Sequence, residues 1–549
     1  MRIPVFGAGL RATSAYITAK GMQNCYAEPR PQGEKSSVVG IGMCGRTLFV
    51  DFGATPPRGG WWMETGVLAY VVHRNTLYSI NNAGVKVNLG TLLTQTGRVS
   101  MIDNGSQLMI VDGTAGYIYS TVAITATPKA VTGIAIDATG TVATVTTGVA
   151  HGLTTGNLVT LTGFTPAAYN GSYTTTVLSP TTFSFVIDVS PGGPSTIQGT
   201  YTIPSFAQIT SPSFPANPVT CTFLAGTFVV QSLNTGRFFA SAPYDGLSGY
   251  ALNSASAANA PNPMRAIWTV NGQLFLLCAA HTEYWGASGG QDFLFSQVQG
   301  TGSEWGLAAT WSVARYGNTI ACLMKNRNNQ VRIAEIVGYL PQPLSTPDVD
   351  KIINGYANTS DATAYTFMLG GHPMYVVSFP SAGYTWMYDS LSKQWSSRKS
   401  YGITRDLGEF GFNYLENTII ADYNTGRLYR LAPSTFTDNG APIEIQIVTE
   451  TIADPDLNLI TVDRFRIDVQ VGVGATVDPG SNPQIGLEVS RDNGNTWGAQ
   501  MLRTLGAIGN YTQIVEWDWL GTAANFVFRL SMTDPVQFTL ISACINPDN

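Results

Sequence analysis

The side chains able to do acid–base or metal chemistry are few. Histidine occurs only at His73, His151, His281 and His372. His73 stands beside Arg74 in a strand-like run and His151 in a glycine-flanked turn, and neither has a second ligand at zinc-site spacing. In His281-Thr282-Glu283-Tyr284-Trp285 an imidazole and a carboxylate are two residues apart, on one face of a strand. That pair is the best metal or acid–base candidate by proximity. Two ligands leave a metal under-coordinated, so a structural role is expected.

Other reaction types meet similar limits. No glycine-rich loop ends in Gly-Lys-Ser/Thr, which removes the phosphate cradle. Phe6-Gly7-Ala8-Gly9-Leu10 copies part of a dinucleotide fingerprint without the βαβ unit that gives it meaning. Glycoside hydrolysis needs two acids about 5–10 Å apart across a sugar. The available pairs have simpler explanations. Asp348 and Asp350 fit the start of a helix, and Asp492 fits a turn. Trp61-Trp62, Tyr284-Trp285 and Trp386/Tyr388 could stack on sugars or bases, but large aromatics equally fill cores and subunit seams. The six cysteines, Cys25, Cys44, Cys221, Cys278, Cys322 and Cys544, are too scattered for a metal site and read as buried free thiols. No catalytic, cofactor-binding or metal residue is expected, and no cofactor.

The elements that would have to position such groups are short strands. Of 549 residues only 12% are charged, about half the usual share, while Gly (58) and Pro (29) abound. Aromatic and β-branched residues spread along the chain argue against disorder. The pattern predicts an all-β protein. Surfaces buried between subunits are depleted in Lys and Glu, so this shortage of charge points to one part of a larger assembly. A secreted β-protein rich in Ser and Thr remains the other reading of the same composition.

Charge is unevenly placed. Residues 1–100 carry ten Lys/Arg against four Asp/Glu, residues 130–236 carry no Lys or Arg, and residues 301–549 carry 16 basic against 24 acidic side chains. Such a chain does not wrap nucleic acid, although a locally basic N-terminal region could line a passage for it. The first 20 residues lack a continuous apolar core, and no run of about 18 uncharged apolar residues occurs. Synthesis in a cytoplasm and no membrane-spanning helix are expected.

Strand–turn–strand units recur at residues 66–80, 98–119, 227–240, 266–277, 316–323 and 374–395, often with an Asn-Gly or Gly-Asn turn. One small meander cannot bury both faces, and radial stacking of four-stranded sheets solves that problem. A β-propeller-like platform is predicted over 1–133 and 204–440, with six or seven blades of roughly 40–50 residues. Residues 134–203, bordered by Pro128 and Pro204, read as an inserted small β-barrel or β-sandwich. Residues 441–549 form a C-terminal β-rich region, packed on or completing the platform. One helix is expected at Pro347–Gly355, with a capping residue at Ser345 or Thr346.

Several segments resemble a known family. They are Asn24-Cys25-Tyr26-Ala27-Glu28-Pro29, Gly97–Met101 with Asn104-Gly105 and Gln107–Val111, His281–Trp285, and Tyr384–Asp389 with Trp395. The closing stretch adds Ser490-Arg491-Asp492-Asn493-Gly494, Trp497, Phe526–Leu530 and Asp534-Pro535-Val536. Their order resembles the tail hub, or nozzle, proteins of short-tailed phages, also called packaged DNA stabilisation proteins. The resemblance implies a propeller-based subunit in a homo-hexameric ring beneath the portal and head-to-tail adaptor. It implies no enzymatic activity. It also implies a virion tail protein that extends the DNA channel, retains the packaged double-stranded genome and serves as platform for tail fibres or spikes. The competing reading is a receptor-binding or polysaccharide-degrading tail protein. A propeller interaction module of a cell is a further alternative.

Overall fold

In the computed structural model the strands form meanders because their turns are built for it. Asn271 and Gly272 take φ of 48° and 74° between the paired residues Val270 and Gln273. Ala225-Gly226 and Gly370-Gly371 do the same between Leu224/Thr227 and Leu369/His372. Two consecutive left-handed residues match the right-handed twist of the flanking strands, which fixes the register of each hairpin. The structure describes the whole chain except residues 1, 4, 6–19, 32–34, 122–128, 152, 154, 156–157, 188, 203–205, 258–262, 290–292, 457 and 548–549. Phe6–Leu10 and both proline borders, Pro128 and Pro204, lie outside the described residues.

The fold is all-β, of propeller and sandwich type, and divides into two compact units. Unit 2 comprises Thr55–Cys278 and Glu283–Gly300. It holds four-stranded antiparallel meanders at 57–91, 100–120 (completed by Phe206–Gln208), 218–256 and 264–297, the last apart from 279–282. Between the second meander's third and fourth strands lies a seven-stranded sheet from Lys129–Ile136 to Thr200–Thr202. Its two outermost strands, Gly171–Thr174 and Thr176–Ser179, are separated by a single residue. The sheet therefore wraps on itself around Val145, Val159, Leu161, Tyr169, Phe183 and Tyr201.

Unit 1 comprises Met1–Ala54, Ala279–Thr282 and Thr301–Asn549. It holds three further meanders, at 306–343, 363–397 and 408–432, the last completed by Gly45–Asp51. The helix Pro347–Asn354 begins at Thr346, whose hydroxyl accepts the Val349 N–H, and buries Val349 and Ile353 in the core of the first two. Gly355 caps its end. Thr437–Asp438 and Ala441–Pro442 extend the last meander's sheet, and further strands make a β-sandwich. One sheet joins Cys25–Pro29, Val38–Gly42, Thr539–Ile545, Ile460–Val469 and Val515–Ala523. The other joins Gly21–Gln23, Ile445–Val448, Asn525–Met532, Gln484–Ser490 and Met501–Thr504. Phe465, Trp517, Phe526 and Phe528 fill the space between them.

Pairing departs from the sequence reading at three places. Residues 21–42 belong to the sandwich rather than to the propeller platform expected over 1–133, because Gly21–Gln23 pairs with Ile445–Val448 and Val38–Gly42 with Thr539–Ile545, 423 to 500 positions away. Gly66 lies in a turn, with the strand starting at Ala69. Tyr511–Trp517 reads as a strand in the sequence, but Tyr511–Ile514 is loop and the strand runs Val515–Ala523.

Gly45 opens the strand that completes the last meander, and a Cβ there would overlap the Thr437 carbonyl. Gly45→Ala should destabilise unit 1 by about 3 kcal/mol through forced backbone displacement. Denaturant unfolding of the variant checks this, with an unchanged midpoint as the opposing result.

Candidate functional site

Each reactive side chain picked out in the sequence is engaged in holding the fold. His73 is buried, with Nε2 2.9 Å from the Thr55 carbonyl, and burial lowers its pKa. His151 Nδ1 accepts the Leu153 N–H at 2.9 Å, leaving Nε2 to donate to the Ser179 carbonyl at 2.8 Å. His281 is buried. Thr282 exchanges backbone bonds with Ser303, and its hydroxyl donates to the Trp305 carbonyl at 2.8 Å. Glu283 is fully buried and accepts the Trp285 indole N–H at 3.1 Å.

His372 and Asp389 do form a buried imidazole–carboxylate pair, Nδ1 to Oδ2 at 2.9 Å. In a hydrolase such a pair orients a base beside a nucleophile. Here the same carboxylate also accepts the Leu391 N–H and the Ser392 hydroxyl, so it organises a turn. Asp112 and Asp422 repeat the device. Asp112 takes the N–H groups of Thr114 and Ala115 and the Thr94 and Tyr117 hydroxyls, while Asp422 takes Asn424 N–H and the Thr425 hydroxyl. Burial alone would raise the Asp112 pKa, but the bonds from Ala115, Thr94, Thr114 and Tyr117 outweigh it and hold it below the ordinary value. Asp492 is half-buried in its turn, and bonds from Ser490 and Thr496 bring its pKa down to about 2.

Asp348 and Asp350 lie in the first turn of the helix, with Asp350 accepting the Ser345 hydroxyl. Trp61 donates to Asp103 at 2.6 Å and Trp62 to the Gly66 carbonyl at 2.9 Å. Tyr284, Trp285, Trp386 and Tyr388 are buried. All six thiols are free, and burial pushes Cys25, Cys221, Cys278 and Cys322 up to about 12. Among the described residues no group of three His, Cys, Asp or Glu could hold a metal ion, and no helix is long and apolar enough to cross a membrane.

The strongest electrostatic feature escaped the sequence reading. Asp406 is fully buried and receives Arg46, Arg398 Nε at 3.1 Å, the Tyr365 hydroxyl at 3.0 Å and the Gly408 N–H at 2.9 Å. Arg46 Nε stands 3.5 Å from Asp438. Burial would raise the Asp406 pKa, yet the two guanidinium charges win and hold it well below the carboxylate range. Arg46 lies on the strand that completes the last meander, and Asp406 lies immediately before that meander's first strand. No local spacing announces this cluster, since Arg46 and Asp406 are 360 residues apart.

Removing either charge strands the other away from water. Asp406→Asn should cost about 3–5 kcal/mol at neutral pH. Because the folded pKa is depressed, Asp406 contributes stability fully above its unfolded value of about 3.9 and loses it as pH falls further. Thermal melting of wild type should therefore weaken below about pH 4, and Asp406→Asn should flatten that slope. An equally steep acid slope in the variant would oppose this assignment.

Two family models match the chain. One, described as bacteriophage P22 Gp10, beta-propeller, covers residues 111–436; the other, described as bacteriophage P22 Gp10, beta-sandwich, covers residues 444–547. No curated protein matches significantly. Among solved structures, the computationally designed Ika8 protein is 10% identical, with TM-score 0.33 over 70% of this chain and 100% of its own. Phage phi92 endosialidase is 11% identical (TM-score 0.26, 93% of this chain, 72% of its own). Dihydro-heme d1 dehydrogenase NirN is 10% identical (TM-score 0.33, 86% and 75%). Likenesses this distant carry no argument about function.

Proposed function

We propose, on the premise that this chain belongs to the phage-stabilisation family of bacteriophage P22 Gp10, that it forms a homo-hexameric hub or nozzle ring beneath the portal and head-to-tail adaptor. Membership makes it a structural protein of the virion tail with a general role in DNA retention, and not an enzyme. The finer reading adds that the ring extends the DNA channel, holds the genome until ejection and carries tail fibres or spikes.

The observation that carries this reading is the family match across both the propeller and the sandwich regions. Physical chemistry supports it. Phosphate neutralisation by Lys and Arg is what makes DNA contacts sticky. A chain with 35 Asp/Glu against 29 Lys/Arg gives passing DNA little to bind. The segment 134–203, which has no Lys or Arg, packs against a neighbouring virion protein in this reading. Contacts of modest strength, repeated around a closed ring, stabilise the whole.

Particles assembled without this protein should lose their DNA. Electron micrographs should then show mostly empty heads. Full, tailed, stable heads in its absence would contradict the retention role.

A further inference from the structure

Both sheets of the sandwich end on one side, at Met501–Thr504 and Val515–Ala523. Side chains occupy the edge carbonyls there. Trp517 Nε1 donates to Met501 at 2.8 Å, Arg503 Nε to Glu516 at 2.9 Å, and Arg491 Nη2 to Leu520 at 2.6 Å. Occupied edge carbonyls discourage a further strand from adding by main-chain bonds. A partner at this edge would instead meet side chains.

Between those arginines the last strand bulges. Val462 faces Gly521 while Arg464 faces Asp518, so the Val515–Ala523 strand carries one extra residue. Trp519 takes φ of 61°, a region bulky residues rarely enter, and is 85% exposed. Bulges re-aim side chains, and this one holds an indole out in water. Backbone strain and exposure of the largest apolar side chain are both costs, and such costs concentrate at functional positions.

Charge narrows the occupant. Residues 441–549 contain five arginines. Arg464, Arg466 and Arg529 are ion-paired with Asp518, Glu516 and Glu488. Arg491 and Arg503 hydrogen-bond to backbone carbonyls, with no carboxylate partner among the described residues. They anchor at Leu520 and Glu516, about 13 Å apart along the strand, with Trp519 between. The same segment has 13 Asp/Glu, which disfavours a nucleic acid phosphate as occupant. It also contains the matching chemistry. Asp454 and Asp456 have no basic partner among the described residues, Asp454 accepting only the Asp456 N–H and the Asn458 amide, and Leu459 is 71% exposed.

We propose that Arg503, Trp519 and Arg491 form a subunit contact whose occupant is a second copy of this chain, presenting Asp454, Asp456 and Leu459. Each copy gives the aromatic row to one neighbour and the acidic loop to the other, a heterologous contact that closes into a ring. The proposal rests on the ring reading above.

The test places p-benzoylphenylalanine at position 519 in full-length protein within phage particles. Irradiation should join two copies of the chain through a peptide containing Asp454 and Asp456. A crosslink to another virion protein, or none, overturns the contact. In parallel, Asp454→Arg with Asp456→Arg should cut incorporation into tails at least tenfold. Adding Arg491→Asp and Arg503→Asp should restore it, and failure to restore counts against the pairing. If tails show a ring of this chain but position 519 crosslinks elsewhere, only this contact falls. If they show no ring, the ring reading falls with it.

Discussion

Arg46 has no access to water, and its charge is answered from a position 360 residues further along the chain. A buried guanidinium without a carboxylate is among the costliest features a fold can hold. The strand Gly45–Asp51 can therefore settle only where Asp406 and Asp438 await it, which is where the last meander lacks its fourth strand. The cluster is not the strongest way to fill that space. Arg46 Nη1 and Arg398 Nη1 find no acceptor among the described residues. Apolar side chains of similar volume could hold the site as well, but they would accept many strands. The ionic cluster gives a chain of repeated, mutually similar meanders a single place to close.

The same N-terminal segment ties the sandwich to the meanders of unit 1. Gly21–Gln23 pairs antiparallel with Ile445–Val448 and in parallel, at Gln23, with Ser397. Asn24 fixes the junction through its amide to the Lys399 and Glu444 carbonyls at 2.8 and 2.9 Å. Titratable groups that might have served chemistry are thus spent on turns and closures. What remains for function is surface, and little of it is charged, which suits a subunit defined by what it touches.

Part of this could be read in the residues. Asn271-Gly272 has one common structural meaning, and so does Thr346-Pro347 ahead of two aspartates with Gly355 behind. Both stand where local chemistry put them. The recurring Asp with Ser or Thr two or three positions on, at 112, 389 and 422, was equally local and could have marked the turns. The Arg46–Asp406 cluster was not legible, because nothing local distinguishes a closing arginine from a surface one. The assignment of residues 21–42 failed for the same reason. Trp519 was hidden by a one-residue bulge, which a pattern of alternating side chains cannot show.

The proposed function makes this chain one member of a closed ring around the DNA path. A density map of the intact virion tail tests it most directly. Six copies arranged about a lumen wide enough for duplex DNA are expected, with the sandwich edge of each against its neighbour. Isolated copies on the periphery of the tail, with the axis occupied by other proteins, would contradict it.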